Sequence, residues 1–145
     1  EKLGDLVIKS SQLKPINIGG EIISSLIDEL PILFIACAVT TGVSKITGIQ
    51  ELRYKESDRI KSMEDGLTAI GIKVTSTLDS IEINGGDIIG GKVNRCGDHR
   101  IAMSFAIAGL ISKKSITIVD TKNISTSFPN FIDLMREKGA SIYEL

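Results

Sequence analysis

Two stretches of this chain, 70 residues apart, decide its fold: DELPILFIACA at residues 28–38 and DHRIAMSFAIA at residues 98–108. Each begins with an aspartate and ends with two alanines around an apolar residue (ACA and AIA). The register continues downstream, where residues 46–47 and 116–117 both read Ile-Thr. Similarity at a constant offset across consecutive segments predicts a repeated structural unit.

Within each copy, the spacing of apolar residues predicts the same element order: helix, strand, helix, strand, strand. The first stretch is apolar on nearly all faces, which is typical of a buried helix. Farther along, Ile60, Met63 and Leu67 follow the spacing of three and four residues of an amphipathic helix, which Gly71 would end. The predicted helices are 28–41, 57–70, 98–110 and 127–138, and the predicted strands are 5–10, 16–18, 43–49, 72–76, 80–84, 115–120 and 140–144.

This order predicts an α/β (α+β) fold built from βαβαββ units, of which the chain holds only part. Residues 1–20 would be the end of one unit, residues 21–90 a second unit, and residues 91–145 most of a third. The two copies are incomplete, and the third unit lacks its final strand.

Composition excludes several classes of protein. The chain has 145 residues, of which 42% are hydrophobic and 24% charged, as in an ordinary globular domain. A balance of 17 Lys+Arg against 18 Asp+Glu argues against a strongly basic nucleic-acid binder. No apolar run is long enough to cross a membrane, and the first residues do not resemble a signal peptide, so we expect a cytoplasmic protein.

The amino-acid composition also provides few types of reactive side chain. One histidine and no C-x-x-C motif give no ligand set for zinc, so we expect no metal. The two cysteines, Cys37 and Cys96, are too few for a disulfide framework, and Cys37 lies in an apolar run as a small core residue would. Any chemistry must therefore use carboxylates, lysine, arginine and His99.

Two predicted helices place cations in their first turns. Arg59 follows Asp58, and His99 and Arg100 follow Asp98. A cation at the positive end of a helix dipole costs about 0.3–1 kcal/mol, so its occurrence twice favours an anion site. The alternative is that both aspartates simply cap their helices and pair with neighbouring arginines.

Asp28 and Glu56 are the candidate acid–base pair, because nearby cations or burial can tune a carboxylate for proton transfer. The alternatives are a plain helix cap for Asp28 and a solvated loop charge for Glu56. If the units repeat, Asp28 and Asp98 occupy equivalent positions and would lie close together.

Four segments carry a resemblance to a known family. RYKESDR at residues 53–59 resembles the R-x-K-E-[ST]-D-R signature of the 5-enolpyruvylshikimate-3-phosphate (EPSP) synthases, also called 3-phosphoshikimate 1-carboxyvinyltransferases. DHRIAM at residues 98–103 resembles their D-H-R-[MI]-A-M signature. Residues 27–31 resemble the segment of the family's catalytic aspartate, and residues 127–131 its late [ST]-[FY]-P motif.

The resemblance implies the inside-out α/β barrel of enolpyruvyl transferases. In that fold each of two similar domains has three βαβαββ units around a pseudo-threefold axis, with buried helices and outer mixed sheets. This chain would be part of the C-terminal domain, and its partner would be the missing N-terminal domain of the same enzyme.

The resemblance also implies a reaction in the shikimate pathway of aromatic amino-acid biosynthesis. The enolpyruvyl group of phosphoenolpyruvate moves to the 5-hydroxyl of shikimate 3-phosphate, without a cofactor. Asp28 would accept the hydroxyl proton and touch shikimate 3-phosphate, and Glu56 would handle the proton at the methylene carbon. The remaining implied roles are binding of shikimate 3-phosphate by Lys55, binding of phosphoenolpyruvate and glyphosate by Arg59 and Arg100, and support by Asp58, Asp98 and His99.

The chain departs from the family pattern at two places. Thr126 stands where some members have a lysine that binds phosphoenolpyruvate, and Glu51 stands where some have an asparagine. Both differences suggest the more glyphosate-tolerant branch of the family. Two other readings stay open: an enolpyruvyl transferase acting on a UDP-sugar, and a repeat module of the same fold without catalysis.

Overall fold

The computed structural model describes residues 4–5, 7–94 and 97–144. Cys96 therefore lies outside the described residues. The strands are β1 (Asn17–Ile18), β2 (Gly42–Thr47), β3 (Lys73–Ser76), β4 (Ser80–Gly85), β5 (Gly91–Val93) and β6 (Ile116–Ile118). The helices are α1 (Ile22–Leu26), α2 (Leu30–Ala38), a 3₁₀ helix (Gln50–Tyr54), α3 (Arg59–Ala69), α4 (His99–Gly109), α5 (Asn123–Ser127) and α6 (Phe131–Glu137).

The strands form two sheets, each containing one β–α–β crossover. The first sheet has the order β1-β2-β4-β3, with β1 parallel to β2 and the other pairings antiparallel. In the second sheet β5 runs parallel to β6. Because parallel neighbours need a crossover connection, α1 and α2 link β1 to β2, while α4 links β5 to β6.

The structure reproduces the sequence repeat. Adding 70 to the bounds of α2 gives 100–108, which lies within α4 (99–109). Adding 70 to Ile46 of β2 gives Ile116, the first residue of β6. The boundaries of the units, after residues 20 and 90, stay a prediction.

The core lies between the helices and the inner face of the larger sheet. Helix α2 packs against α3, α4 and β4, and its Leu30, Phe34 and Ile35 are at most 2% exposed. Each such side chain contributes roughly 1.5–3 kcal/mol on burial. Cys37 is buried in the same helix, which confirms its predicted place in the core.

The predicted helix 127–138 is present only as α6 and is wrong over its first residues, because α5 ends at Ser127 and α6 begins only at Phe131. Proline lacks an amide hydrogen and disfavours a helical conformation in the residue before it. Phe128, which precedes Pro129, has φ −140° and ψ 79°, outside the helical region. The helical conformation is therefore interrupted between α5 and α6.

The strand predictions at the two ends are also wrong. Within the described residues, neither 7–10 nor 140–144 belongs to a strand. A strand persists only where a neighbour satisfies its backbone hydrogen bonds, and the described residues of these segments pair with neither sheet. Also within the described part of the chain, no helix is both long and apolar enough to cross a membrane.

Candidate active site

The N-terminal ends of α2, α3 and α4 meet at one place, and two of these helices have side-chain caps. Asp58 caps α3, where its Oδ1 accepts from the Lys61 amide at 2.9 Å. Asp98 caps α4, where its Oδ1 accepts from the Arg100 amide at 2.9 Å. Both caps have extended backbone, as N-cap residues typically do. These contacts confirm the predicted helix beginnings.

Asp28 is not a helix cap, so the alternative of a plain cap is wrong for this residue. Glu29 precedes the first residue of α2, and no side chain caps that helix. The carboxylate of Asp28 instead accepts hydrogen bonds from two arginines, Arg59 at 3.0 Å and Arg100 at 3.1 Å. Two guanidinium groups attract a carboxylate more strongly than neutral amides do, so Asp28 turns toward the cations.

Arg59 lies at the centre of the place where these helix ends meet, which is called the junction below and comprises Arg59 and the charged side chains bound to it or to Asp28. Its Nε donates to Asp98 at 2.7 Å, its Nη1 to Asp28 at 3.0 Å, and its Nη2 to Glu56 at 2.6 Å. The side chain is only 1% exposed. A guanidinium suits this position because its donors diverge in a fixed plane. One buried cation therefore holds carboxylates from three separate segments.

Arg100 forms the solvent-facing side of the same junction. Its side chain is 34% exposed, and besides the Asp28 carboxylate it donates to the Asp28 carbonyl at 3.2 Å. A cleft of about 160 Å³ opens beside Asp28 and Arg100, between Ile32 of α2 and Met103 of α4. Ligand pockets are usually about 300–1,000 Å³, so this cleft is smaller than a typical binding pocket.

The junction shifts the protonation of its members. The hydrogen bond from Arg59, followed by the charge of Arg100, holds the pKa of Asp28 below its ordinary value of 3.8 despite partial burial. Burial acts to lower the pKa of Arg59, but the carboxylates of Asp98 and Asp28 outweigh it and raise that pKa. Asp28 is therefore a carboxylate and Arg59 a cation at neutral pH.

The structure brings together most of the predicted site residues. Asp28, Glu56, Arg59, Asp98 and Arg100 form one connected cluster. Lys55 stands beside it, paired with Glu51, and its positive charge also favours the ionised form of Asp28. His99 is half-buried as the first residue of α4, and Thr126 is exposed in α5.

The open alternatives for these residues are resolved only in part. Asp58 and Asp98 do cap their helices, but Asp58 pairs with Arg53 and Asp98 with Arg59, which is 39 residues away. That alternative is therefore correct for the caps and wrong for the neighbouring arginines. The side chain of Glu56 is 53% exposed, yet it is bound to Arg59 and is not a free loop charge. The predicted proximity of Asp28 and Asp98 is confirmed, since both bind Arg59.

Sequence reasoning missed one member of the site region, Arg53. Its Nη1 donates to the capping carboxylate of Asp58 at 2.6 Å, and its Nε donates to the Leu78 carbonyl at 2.9 Å. Its position as the first residue of the 53–59 motif could have marked it as a site residue. Its contact with the Leu78 carbonyl, 25 residues away, could not be predicted from the sequence. Among the described residues, no group of three or more His, Cys, Asp or Glu is arranged to hold a metal ion.

Comparison with known proteins identifies the family. The sequence model described as EPSP synthase (3-phosphoshikimate 1-carboxyvinyltransferase) matches residues 2–135. The chain belongs to this family. A curated EPSP synthase relative, the 3-phosphoshikimate 1-carboxyvinyltransferase of Methylococcus capsulatus (strain Bath), is 49% identical over 142 residues. That match covers 98% of this chain and 32% of the relative.

Solved structures agree on the fold. An EPSP synthase from Acinetobacter baumannii superposes with a TM-score of 0.84 at 42% identity, covering 92% of this chain and 31% of that one. The enolpyruvyl transferase NikO from Streptomyces tendae superposes with a TM-score of 0.72 at 17% identity, covering 93% and 30%, which shows the fold alone. The predicted α/β fold of the enolpyruvyl transferases is confirmed, and the chain spans about a third of its relatives' length.

Proposed function

We propose that this chain supplies the C-terminal part of an EPSP synthase, which transfers the enolpyruvyl group of phosphoenolpyruvate to the 5-hydroxyl of shikimate 3-phosphate and releases phosphate. The observation that carries the proposal is the junction at Arg59. It gathers Asp28, Glu56 and Asp98 from three separate family motifs. The names of the relatives point to the same reaction.

The chemistry requires acids, bases and cations in one place. The 5-hydroxyl oxygen adds to C2 of phosphoenolpyruvate while a proton adds to C3, giving a tetrahedral adduct. Loss of a C3 proton and of phosphate from C2 then forms the enolpyruvyl ether. Three proton transfers (from the 5-hydroxyl, to C3 and from C3) and two highly anionic substrates thus call for carboxylates next to fixed cations.

Asp28 and Glu56 are the proposed proton carriers. The lowered pKa of Asp28 keeps it ionised, as a group that accepts the hydroxyl proton must be. Glu56, which is half exposed, would protonate and deprotonate C3. Arg59 binds both carboxylates, which supports their acting on one substrate pair.

The three candidate binding cations differ in the exposed fraction of their side chains, and their proposed roles differ accordingly. Arg100 is partly open to the cleft, so we propose that it binds the phosphoenolpyruvate anion directly and that glyphosate competes there. Lys55 would bind shikimate 3-phosphate after leaving Glu51. Arg59 is buried and has three carboxylate partners, so it would reach phosphoenolpyruvate only by exchanging one of them.

Asp58, Asp98 and His99 are proposed as supporting residues. The first two cap the helices that carry the site, and His99 lies beside Arg100 in the first turn of α4. The proposed partner is the rest of the enzyme, because the chain spans only about a third of the length of its relatives. We propose a cofactor-free enzyme without nucleic-acid partners, and its cytoplasmic location stays a prediction.

Completion of the chain tests this proposal. The chain replaces the matching segment of the Methylococcus capsulatus relative, to which it is 49% identical, and the product is called the completed synthase below. We expect phosphate release from phosphoenolpyruvate and shikimate 3-phosphate by the completed synthase, and none by either part alone. An inactive but folded completed synthase, or full turnover by this chain alone, would contradict the proposal.

Two further measurements separate the alternatives. Replacing shikimate 3-phosphate by a UDP-sugar acceptor should abolish turnover, whereas turnover with the UDP-sugar would favour the sibling enzyme class. Asp28→Asn and Glu56→Gln should each lower kcat by at least about 100-fold, the lower end of the usual contribution of general acid–base catalysis. Unchanged activity in both variants would favour a module without catalysis.

A further inference from the structure

The segment that leads into the site is attached to the turn between β3 and β4. The amides of Ile49 and Gln50 donate to the backbone oxygen and carboxylate of Asp79 at 3.2 and 2.9 Å. Arg53 then donates from Nε to the Leu78 carbonyl at 2.9 Å and from Nη2 to the Thr77 carbonyl. The 3₁₀ helix is thus fixed to the β3–β4 hairpin.

The remaining donor of Arg53 reaches across the loop. Its Nη1 lies 2.6 Å from Oδ2 of Asp58, while Oδ1 of the same carboxylate caps α3. Residues 54–57 lie between these two partners, and they include Lys55 and Glu56. The Arg53–Asp58 ion pair therefore closes the base of a four-residue loop that carries two candidate site residues.

We propose that Arg53 is a positioning residue, which holds this loop so that Lys55 and Glu56 face the junction. The inference rests on the proposed function. Glu56 meets Arg59 at 2.6 Å on one side of the loop, while Arg53 fixes the other side to the hairpin and to the cap of α3. Small displacements of catalytic groups are costly, since an error of 1 Å can lower a rate about 100-fold.

Arginine is the residue type that this position requires. Its three nitrogens serve three different acceptors, two backbone carbonyls and one carboxylate. A lysine ammonium is a single point charge on a flexible stem and cannot hold the same planar set. The side chain is 18% exposed, so water competes little for these contacts.

The test uses Arg53→Gln, Arg53→Lys, Asp58→Asn and the Arg53→Gln/Asp58→Asn double variant in the completed synthase. Asparagine caps helices as well as aspartate does, so Asp58→Asn removes the ion pair but keeps the cap. Lys45→Gln breaks an exposed ion pair with Glu82 on the sheet and is the matched control. For each variant, kcat, both KM values and the thermal unfolding midpoint are measured.

We expect Arg53→Gln to lower kcat at least about tenfold while the enzyme stays folded. The KM of shikimate 3-phosphate should rise with displacement of Lys55, and Arg53→Lys should recover part of kcat. Asp58→Asn should lower kcat as well, and the double variant should lose less than the product of the two single losses. The Lys45→Gln control should match the parent.

Three outcomes would overturn the inference. These are a kcat for Arg53→Gln within twofold of the parent, a loss that only follows the unfolded fraction, and independent multiplicative effects of Arg53→Gln and Asp58→Asn. If Arg53→Gln does not fold, Asp58→Asn alone tests the inference, and a kcat for Asp58→Asn within twofold of the parent would overturn it. An inactive parent would instead reject the proposed function, so the two failures are distinguishable.

Discussion

Arg59 and Asp98 form a buried ion pair, with Nε 2.7 Å from Oδ2 and side-chain exposures of 1% and 0%. The pair joins the first residue of α3 to the capping residue of α4. Ions in a low-dielectric interior are stable only when paired and hydrogen-bonded. The positions of the two helix ends, and thus of the candidate site, depend on this contact.

Removal of Asp98 should be strongly destabilising. Asp98→Ala leaves Arg59 without its most buried partner and α4 without its cap. Loss of one partner from a buried ion pair typically costs about 3–5 kcal/mol, and we expect a fall of that size in the free energy of unfolding. Urea unfolding of the chain, followed by circular dichroism, measures it.

The matched control is Glu82→Ala, which removes an exposed carboxylate from its pair with Lys45 at 2.7 Å. Exposed ion pairs contribute about 0–1 kcal/mol, so this variant should unfold close to the parent. Equal effects of Asp98→Ala and Glu82→Ala would show that the buried pair has no special role.

Arg59→Lys should impair catalysis in the completed synthase although the charge is kept. A lysine cannot bind three carboxylates in the planar arrangement that Asp28, Glu56 and Asp98 adopt here. We expect kcat/KM for phosphoenolpyruvate to fall about 100-fold. Steady-state phosphate release measures this, with Arg136→Lys on the exposed side of α6 as the control. A fall below threefold would contradict the proposed role of Arg59.

Much of this arrangement could be predicted from the sequence, because it depends on local spacing. The 70-residue offset located α2 and α4, since buried helices of repeated units share an apolar pattern. Asp58 and Asp98 were predictable as caps, because a short acceptor directly before a helix bonds its free amides. The positive φ of Gly71, 96°, agrees with its predicted place just after α3.

Other features depend on contacts between distant residues and were not predictable. Nothing local distinguishes Asp28 from an ordinary cap, since its partners lie 31 and 72 residues farther along the chain. The contacts of Arg59 with Asp28 and Asp98 likewise require the assembled fold, whereas Glu56 is only three residues away. The break at Pro129 was readable in principle, but the apolar spacing around it suggested one continuous helix.

Acid should weaken the contribution of Asp28 to stability. In the unfolded chain this carboxyl takes up a proton near its ordinary pKa of 3.8, whereas in the folded chain its pKa is lower. Protons therefore bind first to the unfolded form, and the stabilisation is complete above pH 3.8 and is lost as pH falls through the folded pKa.

The measurement compares the chain with Asp28→Asn by urea unfolding between neutral pH and about pH 3. The parent should be the more stable at neutral pH, and its advantage should shrink once the pH falls below the ordinary carboxyl range. A difference that grows toward low pH would contradict the proposed ionisation of Asp28.

Two glycine-to-alanine substitutions should change stability in opposite directions. A Cβ on Gly66 of α3 would lie 2.2 Å from Cζ and 2.5 Å from Cε2 of Phe105, a ring buried in α4. Overpacking of a core usually costs about 1–3 kcal/mol.

A Cβ on Gly109, the last residue of α4, meets no atom within 4 Å. There alanine only reduces the freedom of the unfolded chain, which is worth about 0.4–1 kcal/mol. We therefore expect Gly66→Ala to lower and Gly109→Ala to raise the urea midpoint. An unchanged midpoint for Gly66→Ala would mean that α3 and α4 are not in contact at Phe105.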